Sequence, residues 1–270
     1  MGFTVCTTFN ACTQPFGASC LQSLMSNLPH EIEVIALVEG ADAFEVDKFK
    51  DRLSILEFQD YAPDFTAFKG WFETEHAWRF GEAKVPFRYD AVRFAHKPFC
   101  LNAVIKILDC SSTTLIWLDA DTILHHPIPS SLFERMSSLG SICYLGRDHL
   151  DVATTKASYS ECGLMLFDLQ SKAFQNFWDI YFTFYYQNNG LYDLREWHDS
   201  FVFDASRRLS KRYFSDAFHD ITNQGLHQLE DESNVFVASV FGEYFDHLKG
   251  SAKRHKRYSD AYTERHQLIT

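Results

Sequence analysis

Apolar residues along the chain come in short continuous runs, separated by stretches whose apolar positions recur with helical spacing. Residues 3–9 read as a short buried strand, and in SCLQSLMSNLP the residues Leu21, Leu24, Met25 and Leu28 share one helix face before Pro29 stops it. EIEVIALVEG (31–40) and LSILEF (53–58) read as the second and third strands. An aromatic-rich helical region runs to about residue 82, and a long helix over 89–109 carries Pro98 near its start or at a break. LIWLDAD, SICYLGRD (141–148) and ECGLMLFDL (161–169) read as further strands. Between the last of these and residue 186, the residues Phe174, Phe177, Trp178, Tyr181 and Tyr185 form one helical stripe, read as core. Residues 191–246 are mixed, with no clear period. Strands alternating with helices predict an α/β fold with a mostly parallel central sheet flanked by helices, where ligands sit at the carboxyl ends of strands.

Asp119 and Asp121 stand at such an end, closing the run Leu115–Leu118 with two carboxylates one residue apart. Aspartate is poor in strands, and a buried carboxylate is costly unless it is paired or bound to metal. A D-x-D turn also arises by chance, so the rest of the chain has to arbitrate. His247, Gly250 and Lys253 give the spacing H-x-x-G-x-x-K. Lys249, Lys253, Arg254, Lys256 and Arg257 crowd the same tail. A charge run by itself reads as a solvated tail. Beside the carboxylates it gains a chemical use. Two carboxylates and an imidazole can hold a divalent cation, glycine admits a phosphate close to the backbone, and lysine supplies its counter-charge.

Composition narrows this further. The 270 residues suffice for a full core, and the formal net charge of -11 argues against a surface built to grip nucleic acid. Seven cysteines show no C-x-x-C pair or zinc-type spacing, as expected of reduced thiols in a cytoplasmic protein. The first nine residues lack a signal-peptide pattern, and no run of about twenty apolar residues predicts a membrane span. His125 and His126, followed by Pro127 and Pro129, read as loop residues. Neither a P-loop nor a nucleophile elbow occurs.

LDAD at 118–121 and HLKGSAK at 247–253 resemble the D-x-D and H-x-x-G-x-x-K motifs of GT-A-fold glycosyltransferases, the second in the form of the glycogenin and lipopolysaccharide-galactosyltransferase group. The chain departs from that group after Lys253, where Arg254 and His255 replace its usual Pro-Trp. The resemblance implies one GT-A domain over 1–270, with a nucleotide-binding half (1–125), an acceptor half (126–246) and a diphosphate-binding tail (247–257). It implies that Asp121 and His247 ligate Mn²⁺ or Mg²⁺, with Asp119 on the metal or the ribose. Thr7, Thr8 and Phe9 would meet base and ribose. Arg93, Lys97, Ala120, Gly250 and Lys253 would meet the nucleotide-sugar.

Glu161, Cys162 and Gly163 resemble the segment beside the donor sugar, and EWHDSFVFD the helix start near the reacting carbon. There Asp199 is the candidate catalytic carboxylate, as general base if the reaction inverts or as support for the anomeric centre if it retains. Trp197 would offer a stacking face and His198 a hydrogen bond. A helix N-cap is the structural alternative for Asp199. The expected activity is transfer of a hexose from a nucleotide diphosphate donor, UDP by resemblance, to an acceptor hydroxyl that stays open: glycan, protein, small molecule or nucleic-acid base. A sugar-1-phosphate nucleotidyltransferase and a non-catalytic nucleotide-sugar or glycan-binding module are the rival readings.

Overall fold

The computed structural model describes residues 2–40, 51–75, 86–108, 113–147, 159–186, 190–222 and 235–248. The chain opens with β1 (Gly2–Asn10), α1 (Gln14–Asn27), β2 (Glu33–Glu39) and β3 (Leu53–Glu57). Next come α2 (Phe58–Tyr61), α3 (Pro63–Glu75), α4 (Ala91–Leu108), β4 (Thr113–Leu118) and β5 (Thr122–Leu124). The second half adds α5 (Ser130–Ser137), β6 (Ile142–Leu145), β7 (Glu161–Asp168), α6 (Lys172–Tyr186) and α7 (Asp199–Ser210). It closes with β8 (Phe218–Asp220), α8 (Val235–Ala238) and β9 (Phe245–His247).

Seven strands form one sheet in the order β3-β2-β1-β4-β7-β6-β8. The β1–β2, β1–β4, β2–β3 and β6–β8 pairings are parallel, whereas β7 runs antiparallel to both β4 and β6. The fold is therefore α/β with a mostly parallel sheet. Both faces are covered, which is why the strands read as continuous apolar runs rather than as alternating ones. Side chains still alternate. Leu115 and Trp117 join the core under α3, α4 and α6, while Ile116 and Leu118 join the opposite core under α1 and α5. The helix over 91–108 continues through Pro98 instead of breaking there.

The second sheet is small and decisive. β5 pairs antiparallel with β9, setting Thr122 opposite His247. Leu248 N–H donates to Asp121 O at 3.0 Å, and His125 N–H to Tyr244 O at 2.8 Å. This short ladder carries the late histidine to the end of β4, beside the two aspartates.

Candidate active site

The carboxylates that end β4 are anchored by the backbone before any side chain acts. Asp119 N–H donates to Gly163 O at 2.9 Å, tying the end of β4 to β7, and Thr122 N–H turns back onto Asp119 O at 3.1 Å. Asp119 Oδ1 accepts from Trp117 Nε1–H at 2.7 Å and faces Lys97 Nζ at 3.0 Å. The apolar strand can thus end in a carboxylate because its charge is met at once.

Lys97 is the hub of this side. It is 6% exposed, lies 5.2 Å from the centre of the Trp117 ring, and donates to Cys162 O at 2.7 Å and to Asp199 Oδ2 at 2.5 Å. Burial alone would lower its pKa, but the charges of Asp119 and then Asp199 outweigh it and hold the ammonium well above its ordinary value. Burial likewise works to raise the Asp199 carboxyl, and Lys97, by charge and hydrogen bond, overrides it and holds Asp199 below the usual aspartate value. Asp199 is the first residue of α7. The N-cap is His198, whose Nδ1 accepts Phe201 N–H at 3.4 Å, so Asp199 does not take the capping role.

On the other side of Asp119 stands His247, 5% exposed. Its Nε2 is 3.2 Å from Asp121 Oδ1 and 3.9 Å from Asp119 Oδ2, and its Nδ1 is 3.8 Å from Glu161 Oε1. Ligand atoms of Asp119, Glu161 and His247 all lie within 4.8 Å of one another. The buried Nδ1 has no hydrogen-bond partner among the described residues. An orphaned imidazole nitrogen among carboxylates is costly unless something else meets it. The group therefore fits a divalent cation taking mainly oxygen with one nitrogen. Gly163 keeps the space open: a Cβ there would lie 2.8 Å from His247 Cε1 and 3.2 Å from Glu161 Oε1. Arg147, buried and donating from Nε to Tyr159 O at 2.7 Å, approaches Glu161 Oε2 at 3.6 Å from the far side.

Several expected contacts lie elsewhere. The Trp197 side chain is 1% exposed and packed edge-on against Phe72, Tyr89 and Tyr192, so it offers no stacking face to a sugar. Phe9 is 4% exposed and its ring packs on Gly17, in the core under α1. Thr8 Oγ1–H donates to Leu37 O at 2.7 Å, binding β1 to β2, and Thr7 is buried beside Cys100. Arg93 and Lys97 share α4 but not an environment: Arg93 is exposed and Lys97 enclosed. Ala120 is partly buried between the aspartates, and Cys162 is buried, its carbonyl serving Lys97. Gly250 and Lys253, with the rest of the basic tail, lie outside the described residues.

His198 is buried against Glu196, its Nε2–H reaching Oε2 at 3.0 Å. Glu196 Oε1 also takes the Tyr159 hydroxyl at 2.9 Å and Arg88 at 2.9 Å. Arg147, Tyr159 and Glu196 escape a reading of the sequence. Only the polarity of Glu196 beside apolar Trp197 hints at a buried network. Glu161, expected beside the sugar, has its carboxylate in the metal-competent group instead.

By sequence, no protein-family profile and no curated protein matches the chain. Among solved structures it is similar to the bifunctional glycosyltransferase WbbM in its apo form (10% identity, TM-score 0.48, 82% of this chain and 39% of that one). It is similar to mouse xyloside xylosyltransferase 1 (15%, 0.45, 89% and 94%) and to the glycosyltransferase GlyE of Streptococcus pneumoniae TIGR4 (9%, 0.44, 82% and 46%). The chain thus spans under half the length of WbbM and GlyE. At these scores the likenesses leave function to the chemistry of the site. Among the described residues no helix is long and apolar enough to cross a membrane.

Proposed function

We propose that this chain is a metal-dependent glycosyltransferase of GT-A architecture that moves a hexose from a UDP-sugar to an acceptor hydroxyl. The observation that carries the reading is the convergence of Asp119, Glu161 and His247 at the carboxyl end of β4, with Asp119 bridged through Lys97 to Asp199. Mn²⁺ or Mg²⁺ would be held there by Asp119, Asp121, Glu161 and His247. When bound, it would supply the positive charge that a diphosphate needs as its bond to the sugar breaks.

The chain's own residues divide the remaining work. Lys97 pairs with both Asp119 and Asp199 and fixes their separation, so neither carboxylate has to reorganise during the reaction. Asp199 is a poor proton acceptor near neutral pH, because its ammonium partner holds its pKa below the ordinary range. Its charge is better suited to steadying the oxocarbenium-like sugar as the donor bond stretches. This favours a retaining reaction, with the acceptor proton leaving on the departing phosphate. Gly163 gives the donor side its clearance, and Arg147 orients Glu161. In this reading residues 1–125 hold the nucleotide, 126–246 the acceptor, and Gly250 and Lys253 the diphosphate.

The test is incubation with a panel of nucleotide-sugars, with and without Mn²⁺, following release of free nucleoside diphosphate. Release that requires the metal is the expected result. Pyrophosphate formed from a sugar 1-phosphate and a nucleoside triphosphate would replace the reading with nucleotidyl transfer.

A further inference from the structure

A second surface begins where the first site ends. Four aromatic rings surround the buried imidazole of His198, the residue before Asp199. Their centres lie at 4.8 Å (Tyr159), 5.9 Å (Phe87), 6.0 Å (Phe94) and 6.2 Å (Phe201). Phe87 and Phe94 flank the start of α4, Tyr159 precedes β7, and Phe201 lies one turn beyond His198 in α7, so the fold joins three stretches of chain here. These rings reach the surface: Phe87 is 51% exposed, and Phe94 and Phe201 are half-buried.

Guanidinium groups stand over two of the rings. Arg93 lies 5.7 Å from the centre of Phe94 and Arg195 5.5 Å from that of Phe201. Two acids stand beside them, Glu196 and Asp90. Glu196 is shared among Arg88 at 2.9 Å, Arg195 at 3.6 Å and His198. Asp90 spends a carboxylate oxygen on the Arg93 backbone N–H at 3.3 Å, and no ion pair reaches the Arg93 guanidinium among the described residues. A chain of net charge -11 has thus gathered arginines and exposed aromatic faces on one spot. That spot adjoins the Lys97–Asp199 pair: Phe94 is less than one helical turn from Lys97 on α4, and His198 precedes Asp199.

We propose that this surface is the acceptor site and that the acceptor is an anionic carbohydrate, a sugar carrying a carboxylate or a phosphate near the hydroxyl that is glycosylated. The proposal rests on the glycosyltransferase reading and deepens it. Flat aromatic faces suit the C–H face of a sugar ring, and the guanidinium fork matches a carboxylate or phosphate with paired N–H donors. Phe87, Arg93 and Phe94 therefore belong with the acceptor although they lie in the nucleotide half, so on this proposal acceptor binding is not confined to residues 126–246.

The experiment is an NMR titration of the full chain, with and without UDP and Mn²⁺, using a matched set of probes: cellobiose, cellobiouronic acid, cellobiose 6'-phosphate and inorganic phosphate. At least one charged disaccharide should bind about tenfold or more tightly than cellobiose, as expected for a charge-assisted hydrogen bond. Arg93→Ala should abolish that preference, and raised salt should weaken it. Phe94→Ala should weaken all three disaccharides together. Which charged probe wins separates carboxylate from phosphate. Equal binding of charged and neutral probes, or no binding of any charged disaccharide, overturns the proposal. So does a preference that survives Arg93→Ala, or inorganic phosphate binding as tightly as the phosphorylated sugar. A thermal shift with UDP and Mn²⁺ on the same sample keeps the two readings apart. UDP binding without charge preference sinks only the acceptor assignment, whereas charge preference without UDP binding sinks the transferase reading and with it the acceptor role, leaving an anionic-carbohydrate binding surface.

Discussion

Asp119 faces two regions of the same site, and they are built on opposite terms. Toward Lys97, contacts are short and charges are matched: Nζ is 3.0 Å from Asp119 and 2.5 Å from Asp199, with the Cys162 carbonyl taking a further N–H. Toward His247, the carboxylates of Asp121, Asp119 and Glu161 stand 3.2, 3.9 and 3.8 Å from one imidazole, whose Nδ1 has no hydrogen bond among the described residues. The first region is complete as folded, whereas the second is arranged for something that arrives. A carboxylate shared between them can be fixed in direction by its ion pair while presenting its other oxygen to a cation.

The largest expected effect comes from breaking the matched region. Lys97→Met keeps the length and apolar stem but leaves two carboxylates without their cation. Removing one partner of a buried ion pair costs about 3–5 kcal/mol, so urea denaturation should show a loss of that order. A variant as stable as the parent would mean that the Lys97 pairings carry no structural weight.

Asp199→Asn should cost less stability but about a hundredfold in turnover, a loss of the size seen when a charge-stabilising group is removed. Metal-dependent UDP binding should hardly change. The pH dependence follows from the directions of the shifts. Asp199, with its folded pKa depressed, stabilises the fold above the ordinary aspartate pKa of about 3.9, and that contribution is lost as pH falls through the lower folded value. Lys97, with its folded pKa raised, contributes fully below about 10.4 and loses its contribution only as pH rises beyond that into the folded value. Between these limits the pair should give a flat stability profile. Asp199→Asn should remove part of the fall on the acid side, and an unaltered acid limb in urea melts would place that fall on other carboxylates.

The smallest change sharpens the open region. Gly163→Ala pushes a methyl against His247 and Glu161. Overpacking of this kind costs about 1–3 kcal/mol, and here it should appear both as a lower melting temperature and as weaker Mn²⁺ binding. Unchanged metal affinity in a destabilised variant would detach Gly163 from the metal-competent group.

Much of this is legible in the sequence, and the misses share a cause. The runs that form β1, β2, β4 and β7 are readable because a doubly covered sheet demands uninterrupted apolar residues. Asp119 and Asp121 are readable because carboxylates ending such a run contradict it. Lys97 is harder. Its spacing from Arg93 puts the two on one helix face, and only the Cys162 carbonyl, Asp119 and Asp199, brought by β7, the end of β4 and α7, show Lys97 enclosed. The resemblance makes Trp197 a stacking face, and only the packing of Phe72, Tyr89 and Tyr192 shows it enclosed. Glu161 cannot be assigned to the cation from sequence because its neighbour His247 arrives through β9, a three-residue strand too short to show a period.

The central claim is that the region around His247 holds a metal on which nucleotide binding depends. Calorimetric titration of UDP, with and without Mn²⁺, on the parent chain and on His247→Ala tests it most directly. The account predicts that Mn²⁺ tightens UDP binding to the parent. The variant should need at least about 10–100-fold more metal for the same effect, since even indirect disruption of a metal site costs that much. UDP binding that ignores Mn²⁺ in the parent, or a metal-dependent part left intact without His247, would contradict it.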